Sequence, residues 1–222
     1  MAGQITAIQA QKKNKQRANI FLDGEFAFGL ALIEAAKLSK GQYLSDEEIA
    51  ALRLADEQAC AYESALNFLS YRPRSSAEVT HRLQEKGFCE STIEHTVHRL
   101  SRAGLIDDEE FARYWISNRE QFKPRSTRAL RYELAQKGIA GHMIDDLVQD
   151  IDESESAYRA VSSRLAQWQQ LDPGMFRRKL TGYLQRRGFG YAIVSQVWER
   201  IQAERERQDD KGEDLEIWDQ ET

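Results

Sequence analysis

The sequence predicts a mainly α fold: an elongated, curved array of three tandem three-helix repeats of helix-turn-helix-like form, preceded by a small N-terminal β-meander. Three observations predict it. A short pattern that runs from a leucine to a glycine and an apolar residue occurs three times at a nearly constant interval. Apolar residues keep fixed distances from each of these glycines. The N-terminal stretch instead contains short β-rich runs separated by turn residues.

The repeat is marked by its glycine, which stands at residues 87, 138 and 188, so the copies are 51 and 50 residues apart. A fixed period of this size is typical of repeat architectures. Each glycine follows a Lys or Arg and precedes an apolar residue, a pattern that favours a helix ending in a left-handed glycine. The three copies are Leu83-Gln84-Glu85-Lys86-Gly87-Phe88, Leu134-Ala135-Gln136-Lys137-Gly138-Ile139 and Leu184-Gln185-Arg186-Arg187-Gly188-Phe189.

Apolar residues around each glycine predict one helix on either side of it. They lie eight and four residues before the glycine and six, ten and thirteen after it, spacings that keep each set on one side of a helix. These residues are Val79, Leu83, Ile93, Val97 and Leu100; Leu130, Leu134, Ile144, Val148 and Ile151; and Leu180, Leu184, Val194, Trp198 and Ile201. With one further helix before each pair, we assign the repeats to residues 53–104, 105–152 and 153–205.

Residues 1–52 are predicted to form the β-meander and a short helix. Residues 4–10 and 18–22 favour strands, Asp23-Gly24 favours a tight turn, and residues 25–30 favour a third strand. Residues 31–37 favour a short helix, and Ser45 with Glu48 forms a capping box that opens the next one.

Residues 206–222 are predicted to be an acidic, disordered tail. Residues 204–222 carry nine acidic and three basic side chains and show little apolar periodicity. The net charge of −5 therefore describes the tail more than the body, which is close to neutral and has local basic clusters.

Several function classes are not expected. No apolar run reaches the roughly 20 residues that span a bilayer and no leader is recognised, so we expect a cytoplasmic protein. Cys60 and Cys89 are expected to be free thiols. Phosphate-loop, metalloprotease and nucleophile motifs are absent, and we expect no catalytic site, cofactor or small-molecule substrate. A metal site is not expected, because His81, Cys89, His95 and His98 follow no standard ligand spacing.

Cations recur with the structural period. The loop Tyr71-Arg72-Pro73-Arg74-Ser75 is matched by Phe122-Lys123-Pro124-Arg125-Ser126, whereas the third repeat has a later basic cluster. A solvated helix face explains any single arginine, but a periodic stripe suits a polyanion or an acidic protein groove. We expect Tyr71 and Phe122 to pack at helix ends. The candidate binding residues are Arg72, Arg74, Arg82, Lys123, Arg125, Arg128, Arg131, Arg177, Arg178, Lys179, Arg186 and Arg187.

These motifs resemble the RecX family of bacterial regulatory proteins over about residues 5–203. The resemblance is carried by Ser70-Tyr71-Arg72-Pro73-Arg74-Ser75-Ser76-Ala77-Glu78-Val79, by Arg82-Leu83 with Lys86-Gly87-Phe88, and by Gly104-Leu105-Ile106-Asp107-Asp108-Glu109-Glu110-Phe111-Ala112. The later Glu133-Leu134 with Lys137-Gly138-Ile139, and Arg186-Arg187-Gly188-Phe189, are similar to the same family. The N-terminal Gln11-Lys12-Lys13-Asn14, Asn19-Ile20-Phe21-Leu22-Asp23 and Phe26-Ala27-Phe28 look like an extension that some members carry.

The resemblance implies a non-enzymatic modulator of RecA, which lodges in the groove of the RecA filament on single-stranded DNA and inhibits ATP hydrolysis, strand exchange and co-protease activity. The expected partners are RecA and single-stranded DNA, with double-stranded DNA left open, and we expect a monomer that binds no membrane. Two other interpretations of the residues stay open. A helix-turn-helix transcription regulator would bind one duplex site in a salt-dependent way without RecA. A protein scaffold would not need the basic loops to associate with DNA-bound partners.

Overall fold

Among the described residues, four short strands at the N-terminus form one antiparallel sheet in the order β3-β2-β1-β4. They are β1 (Gly3–Ala10), β2 (Arg17–Leu22), β3 (Glu25–Ala31) and, after helix α1 (Leu32–Ala35), β4 (Tyr43–Leu44). The predicted meander, its Asp23-Gly24 turn and the short helix are confirmed. The fourth strand was missed, because two residues are too few to show an alternating pattern. In this computed structural model the described residues are 2–12, 14–168 and 170–218, with side chains described up to residue 207.

The sheet is fastened to the next helix, α2 (Asp46–Leu69), by the carboxylate of Asp56. One oxygen of Asp56 accepts from the Arg17 guanidinium at 2.6 Å, and the other accepts from the Ala31 backbone N–H at 2.9 Å. A second N–H of Arg17 donates to the Cys60 sulfur at 2.8 Å. Ile49 of α2 also belongs to the apolar core beneath the sheet. The boundary expected between residues 52 and 53 therefore lies inside one continuous helix.

Within the part of the chain that the structure describes, nine helices make up the three repeats. The first repeat uses α2 with α3 (Ser76–Glu85) and α4 (Glu90–Arg102). The second uses α5 (Asp108–Phe122), α6 (Thr127–Gln136) and α7 (Gly141–Val148). The third uses α8 (Glu153–Trp168), α9 (Pro173–Gln185) and α10 (Tyr191–Trp218). The described residues divide into two compact units, one ending at Asp107 and one beginning at Asp108.

Each repeat has an apolar core of its own, and the residues at fixed distances from the glycine supply it. The residues eight and four before each glycine are fully buried in all three copies. Gly87, Gly138 and Gly188 all have positive φ, between 77° and 91°. The predicted left-handed turn between two packed helices is thus confirmed three times.

The acidic tail departs from its prediction. Helix α10 continues to Trp218, so residues 206–218 are helical rather than disordered, while residues 219–222 lie outside the described part of the chain. Residues 203–208 are Ala, Glu, Arg and Gln, which are all strong helix formers. A helix that extends an already packed helix carries no nucleation cost, which favours its continuation through residues 206–208.

Within the second unit, the third repeat meets the second at the turn of Gly188. The backbone N–H of Ser126 donates to the carbonyl oxygen of Arg187 at 3.1 Å. A Cβ at position 188 would lie 2.5 Å from the Ser126 hydroxyl and 3.1 Å from the Ala129 Cβ. Only glycine combines the left-handed φ with this close approach.

Side chains of α5, α6 and α8 strengthen the same junction. The carboxylate of Glu120 accepts from the Ser156 hydroxyl at 2.5 Å and from the Arg159 guanidinium at 3.1 Å. Glu153, in the first turn of α8, accepts from the backbone N–H of Thr127 at 3.3 Å. The second and third repeats are therefore joined by polar contacts of defined geometry.

Gly188→Ala should destabilise the fold much more than Gly87→Ala. At Gly87 a Cβ would meet nothing within 4 Å. Alanine there should lower the free energy of unfolding only by the cost of a left-handed φ, about 1 kcal/mol. At Gly188 the collision with Ser126 should add at least about 2 kcal/mol. The midpoint of urea unfolding, followed by circular dichroism, measures both variants. Equal shifts would show that the junction is not closely packed.

Candidate nucleic-acid and protein interface

The loop cations of the first repeat are engaged within the protein. Arg72 forms a two-pronged pair with Glu78, with N–O distances of 2.8 and 3.1 Å, and Glu78 also forms the capping box with Ser75 at the start of α3. The guanidinium of Arg74 lies 3.9 Å from the centre of the Phe68 ring. Burial, followed by the nearby charge of Arg72, lowers the pKa of Arg74. These two arginines hold the loop against its helices.

In the second repeat Arg125 occupies the corresponding place and is held less tightly. Its Nε lies 3.7 Å from Glu133, whose other oxygen pairs with Arg119 at 2.7 Å. A terminal N–H of Arg125 donates to the backbone carbonyl of Arg186 at 3.4 Å. Arg125 therefore takes part in the junction between the second and third repeats.

Two more predicted cations form exposed ion pairs, Arg82 with Glu85 at 3.1 Å and Arg131 with Asp145 at 3.0 Å. Exposed pairs of this kind contribute little to stability. The remaining predicted cations form no ion pair with any described residue: Arg74, Lys123, Arg128, Arg177, Arg178, Lys179, Arg186 and Arg187. All of these except Arg74 lie in the second unit. Two of the three predicted cations in the first repeat are thus paired with carboxylates, whereas none of the five in the third repeat is paired with a described residue.

Aromatic rings support part of the basic cluster of the third repeat. The Arg187 guanidinium lies 3.7 Å from the centre of the Tyr183 ring, and that of Arg177 lies 5.6 Å from the Trp198 ring. Burial lowers the pKa of Arg187. Three neighbouring arginines act in the same direction: Arg125, Arg164 and Arg186. Arg164 was missed by the sequence prediction, because it lies on α8 at a position with no basic counterpart at the repeat interval.

The expectation for Tyr71 and Phe122 was wrong. Tyr71 is 84% exposed and Phe122 is 66% exposed, so neither ring packs at its helix end. In the first repeat that place is taken by Phe68, which packs against the repeat core and is covered by Arg74. Both exposed rings stand beside the basic loops, at matching positions of two repeats.

Residues 2–12, 14–168 and 170–218 contain neither a cluster of side chains that could hold a metal ion nor a helix that could span a membrane. No group of three or more His, Cys, Asp and Glu side chains among them is placed to hold a metal ion. None of their helices is long and apolar enough to cross a bilayer. Cys60 and Cys89 are free thiols.

Comparison with known proteins agrees with this domain order. The family model of the regulatory protein RecX N-terminal domain matches residues 3–45, and those of the first, second and third RecX three-helix domains match residues 61–100, 107–147 and 151–198. A regulatory protein RecX of Bacillus subtilis (strain 168) is 31% identical over 212 residues, which covers 93% of this chain and 80% of that one. The chain belongs to the RecX family. Another RecX, from Oceanobacillus iheyensis, is 32% identical over 89% of this chain and 76% of its own.

Solved RecX structures have the same fold. A crystal structure of regulatory protein RecX superposes with a TM-score of 0.63 at 29% identity, covering 89% of this chain and 99% of that one. RecX from Lactobacillus salivarius superposes with a TM-score of 0.58 at 22% identity over 67% of this chain and 99% of its own. The second likeness concerns the fold alone.

The first RecX three-helix domain should depend on Arg72 for stability. Arg72→Gln removes the two-pronged pair with Glu78, and we expect a loss of about 1 kcal/mol, since both side chains are partly exposed. Arg128→Gln is the matched control, because Arg128 is exposed and forms no ion pair with a described residue; its effect should stay within about 0.5 kcal/mol. Urea unfolding of the two variants measures the difference, and equal losses would contradict the structural role of Arg72.

The two thiols of this RecX-family chain should have different pKa values. Burial, aided by Asp56, raises the pKa of Cys60. Hydrogen bonds with the side chains of Ser91 and Thr92 lower the pKa of the exposed Cys89. A lower pKa gives more thiolate at a given pH, so Cys89 should react with a disulfide reagent faster and with a half-maximal rate at lower pH.

Cys60→Ser and Cys89→Ser each leave one thiol, so the pH profile of labelling can be measured for each. The assignment is wrong if the protein that retains only Cys60 reaches its half-maximal rate at the lower pH.

Proposed function

We propose that this chain binds RecA filaments on single-stranded DNA and lowers their ATP hydrolysis, strand exchange and co-protease activity. The observation that supports this most is the match of four RecX domains in order over residues 3–198. The chain acts by binding, as a monomer in the cytoplasm, and performs no chemistry of its own. Uncompensated positive charge in the second and third repeats supports the part of the proposal that concerns DNA.

The twelve predicted cations divide into two roles under this proposal. Those in ion pairs within the fold hold helices and loops in place: Arg72, Arg82, Arg125 and Arg131. Arg74 and Arg187 pack on aromatic rings and support the surface beside them. The exposed cations without an ion pair to a described residue make the contacts with the filament: Lys123, Arg128, Arg177, Arg178, Lys179 and Arg186.

RecA-catalysed ATP hydrolysis on single-stranded DNA tests the proposal directly. Adding the protein should lower the rate at a stoichiometry well below one per RecA, since a molecule lodged in the groove impedes more subunits than it contacts. If the rate is unaffected even at equimolar protein, the proposal is wrong. Salt-dependent binding to one preferred duplex site without RecA would then favour a helix-turn-helix regulator.

Lys123→Gln/Arg128→Gln should require several-fold more protein for half-inhibition of RecA. Both cations are exposed, and neither has an ion pair with a described residue, so their removal takes away contacts but no internal bond. Arg82→Gln/Arg131→Gln removes the same charge from two exposed cations that are ion-paired, and should inhibit like the parent. Equal losses in both double variants would mean that net charge alone is responsible.

A further inference from the structure

A groove runs along α9 in the third repeat, with a volume of about 530 Å³. We call it the α9 groove. Its rim carries Arg178, Lys179 and Arg186, and none of the described residues that line it is an Asp or Glu. None of the three cations forms an ion pair with a described residue, so the positive potential of the groove is uncompensated. A surface of this charge attracts a polyanion.

Apolar and aromatic atoms lie between these cations. Met175 is 52% exposed although it lies among charges, and the rings of Tyr183 and Trp168 meet edge to face with centres 5.6 Å apart. The Arg187 guanidinium covers one face of Tyr183 and fixes that ring. A DNA duplex presents mainly phosphates to a shallow surface, whereas a single strand also presents the faces of its bases. Cations interleaved with apolar and aromatic groups therefore fit a single strand better.

At two corresponding positions the first repeat has an acidic side chain where the third has a basic one. Nine residues before the repeat glycine stand Lys179 in the third repeat and Glu78 in the first, and two residues before it stand Arg186 and Glu85. Both glutamates are ion-paired within the first repeat, and the groove there shrinks to about 250 Å³. Repeats that share one fold thus differ at this surface, so the fold itself does not require the basic groove.

Gly182 is a second feature that folding does not explain. It lies in the interior of α9, where glycine is less favourable than alanine, and the same position holds His81 in the first repeat and Tyr132 in the second. A Cβ at 182 would meet only the end of the Arg186 side chain, at 3.3 Å. The missing side chain leaves the floor of the groove open beside that guanidinium.

We propose that the α9 groove is the site for a single strand of DNA. Arg178, Lys179 and Arg186 bind its phosphates, and Met175 with the exposed part of Tyr183 contacts its bases. This deepens the proposed function, on which it rests for the presence of DNA, by assigning the strand to the third repeat.

Fluorescence anisotropy with a labelled oligothymidylate measures the cation contacts. Arg178→Gln/Lys179→Gln/Arg186→Gln should bind at least about tenfold more weakly, and the slope of log affinity against log salt should become shallower by about 2, since each phosphate contact of a single strand contributes about 0.7. Lys40→Gln/Lys86→Gln/Arg102→Gln removes three exposed cations of the first unit and should leave the slope unchanged. Equal effects of the two triple variants, or no effect of the first, would overturn the proposal.

Two single variants separate binding from folding. Gly182→Ala should raise the melting temperature yet weaken single-strand binding several-fold, a combination that a purely structural role of Gly182 does not produce. Met175→Ala should weaken binding of the single strand by about threefold and leave binding of a duplex unchanged. The proposal is wrong if both variants bind the single strand as tightly as the parent. It is also wrong if Met175→Ala weakens binding of the single strand and of the duplex equally.

RecA ATP hydrolysis with the same proteins distinguishes this proposal from the proposed function. If the parent inhibits RecA and the groove variants keep full affinity for the single strand, the α9 groove is not the DNA site, although the RecA function stands. If the groove variants lose the single strand but the parent leaves RecA unaffected, the groove is a DNA site and the RecA function fails. Loss of inhibition with single-strand affinity intact would make the groove a protein-binding surface and overturn the proposal.

Discussion

The left-handed turn at the glycine of each repeat is the constraint on which the other helical contacts depend. Gly87, Gly138 and Gly188 reverse the chain between two helices, and the leucine four residues earlier is then completely buried between them. Because the turn is the same three times, the same apolar positions can supply three separate cores. The polar positions are left free to differ, and the surfaces of the repeats have diverged accordingly.

The spacing of residues in the sequence predicted the local elements of the fold. The helices beside each glycine, the hairpin at Asp23-Gly24 and the capping box at Ser45 were all readable, because each rests on a few neighbouring residues. The strand Tyr43–Leu44 could not be predicted, since it depends on pairing with Gly3 and Gln4, which are distant in sequence. The helical course of residues 206–218 was missed because apolar periodicity was taken as the condition for a helix.

The sequence predicted which cations belong to the candidate site but not which of them are paired within the fold. The sequence located the cations, yet a guanidinium paired with Glu78 and an unpaired one look alike until the partner's position is known. The same limit applies to Tyr71, whose exposure follows from Phe68 occupying the packing position, and to Met175 and Gly182, which have meaning only as the lining of a groove. Interactions that depend on distances between helices carry no signal in a single sequence.

Helix α2 has a mechanical consequence for the N-terminal region. Its 24 residues make a rod about 36 Å long, whose first half carries Ile49 into the sheet core and whose second half carries Ala61 and Ala65 into the core of the first repeat. Modules of a repeat array ordinarily fray one at a time from an end. Here the first repeat shares its longest helix, α2, with the sheet. Unfolding of α2 therefore removes apolar contacts from both cores. We therefore expect the sheet and the first repeat to unfold together.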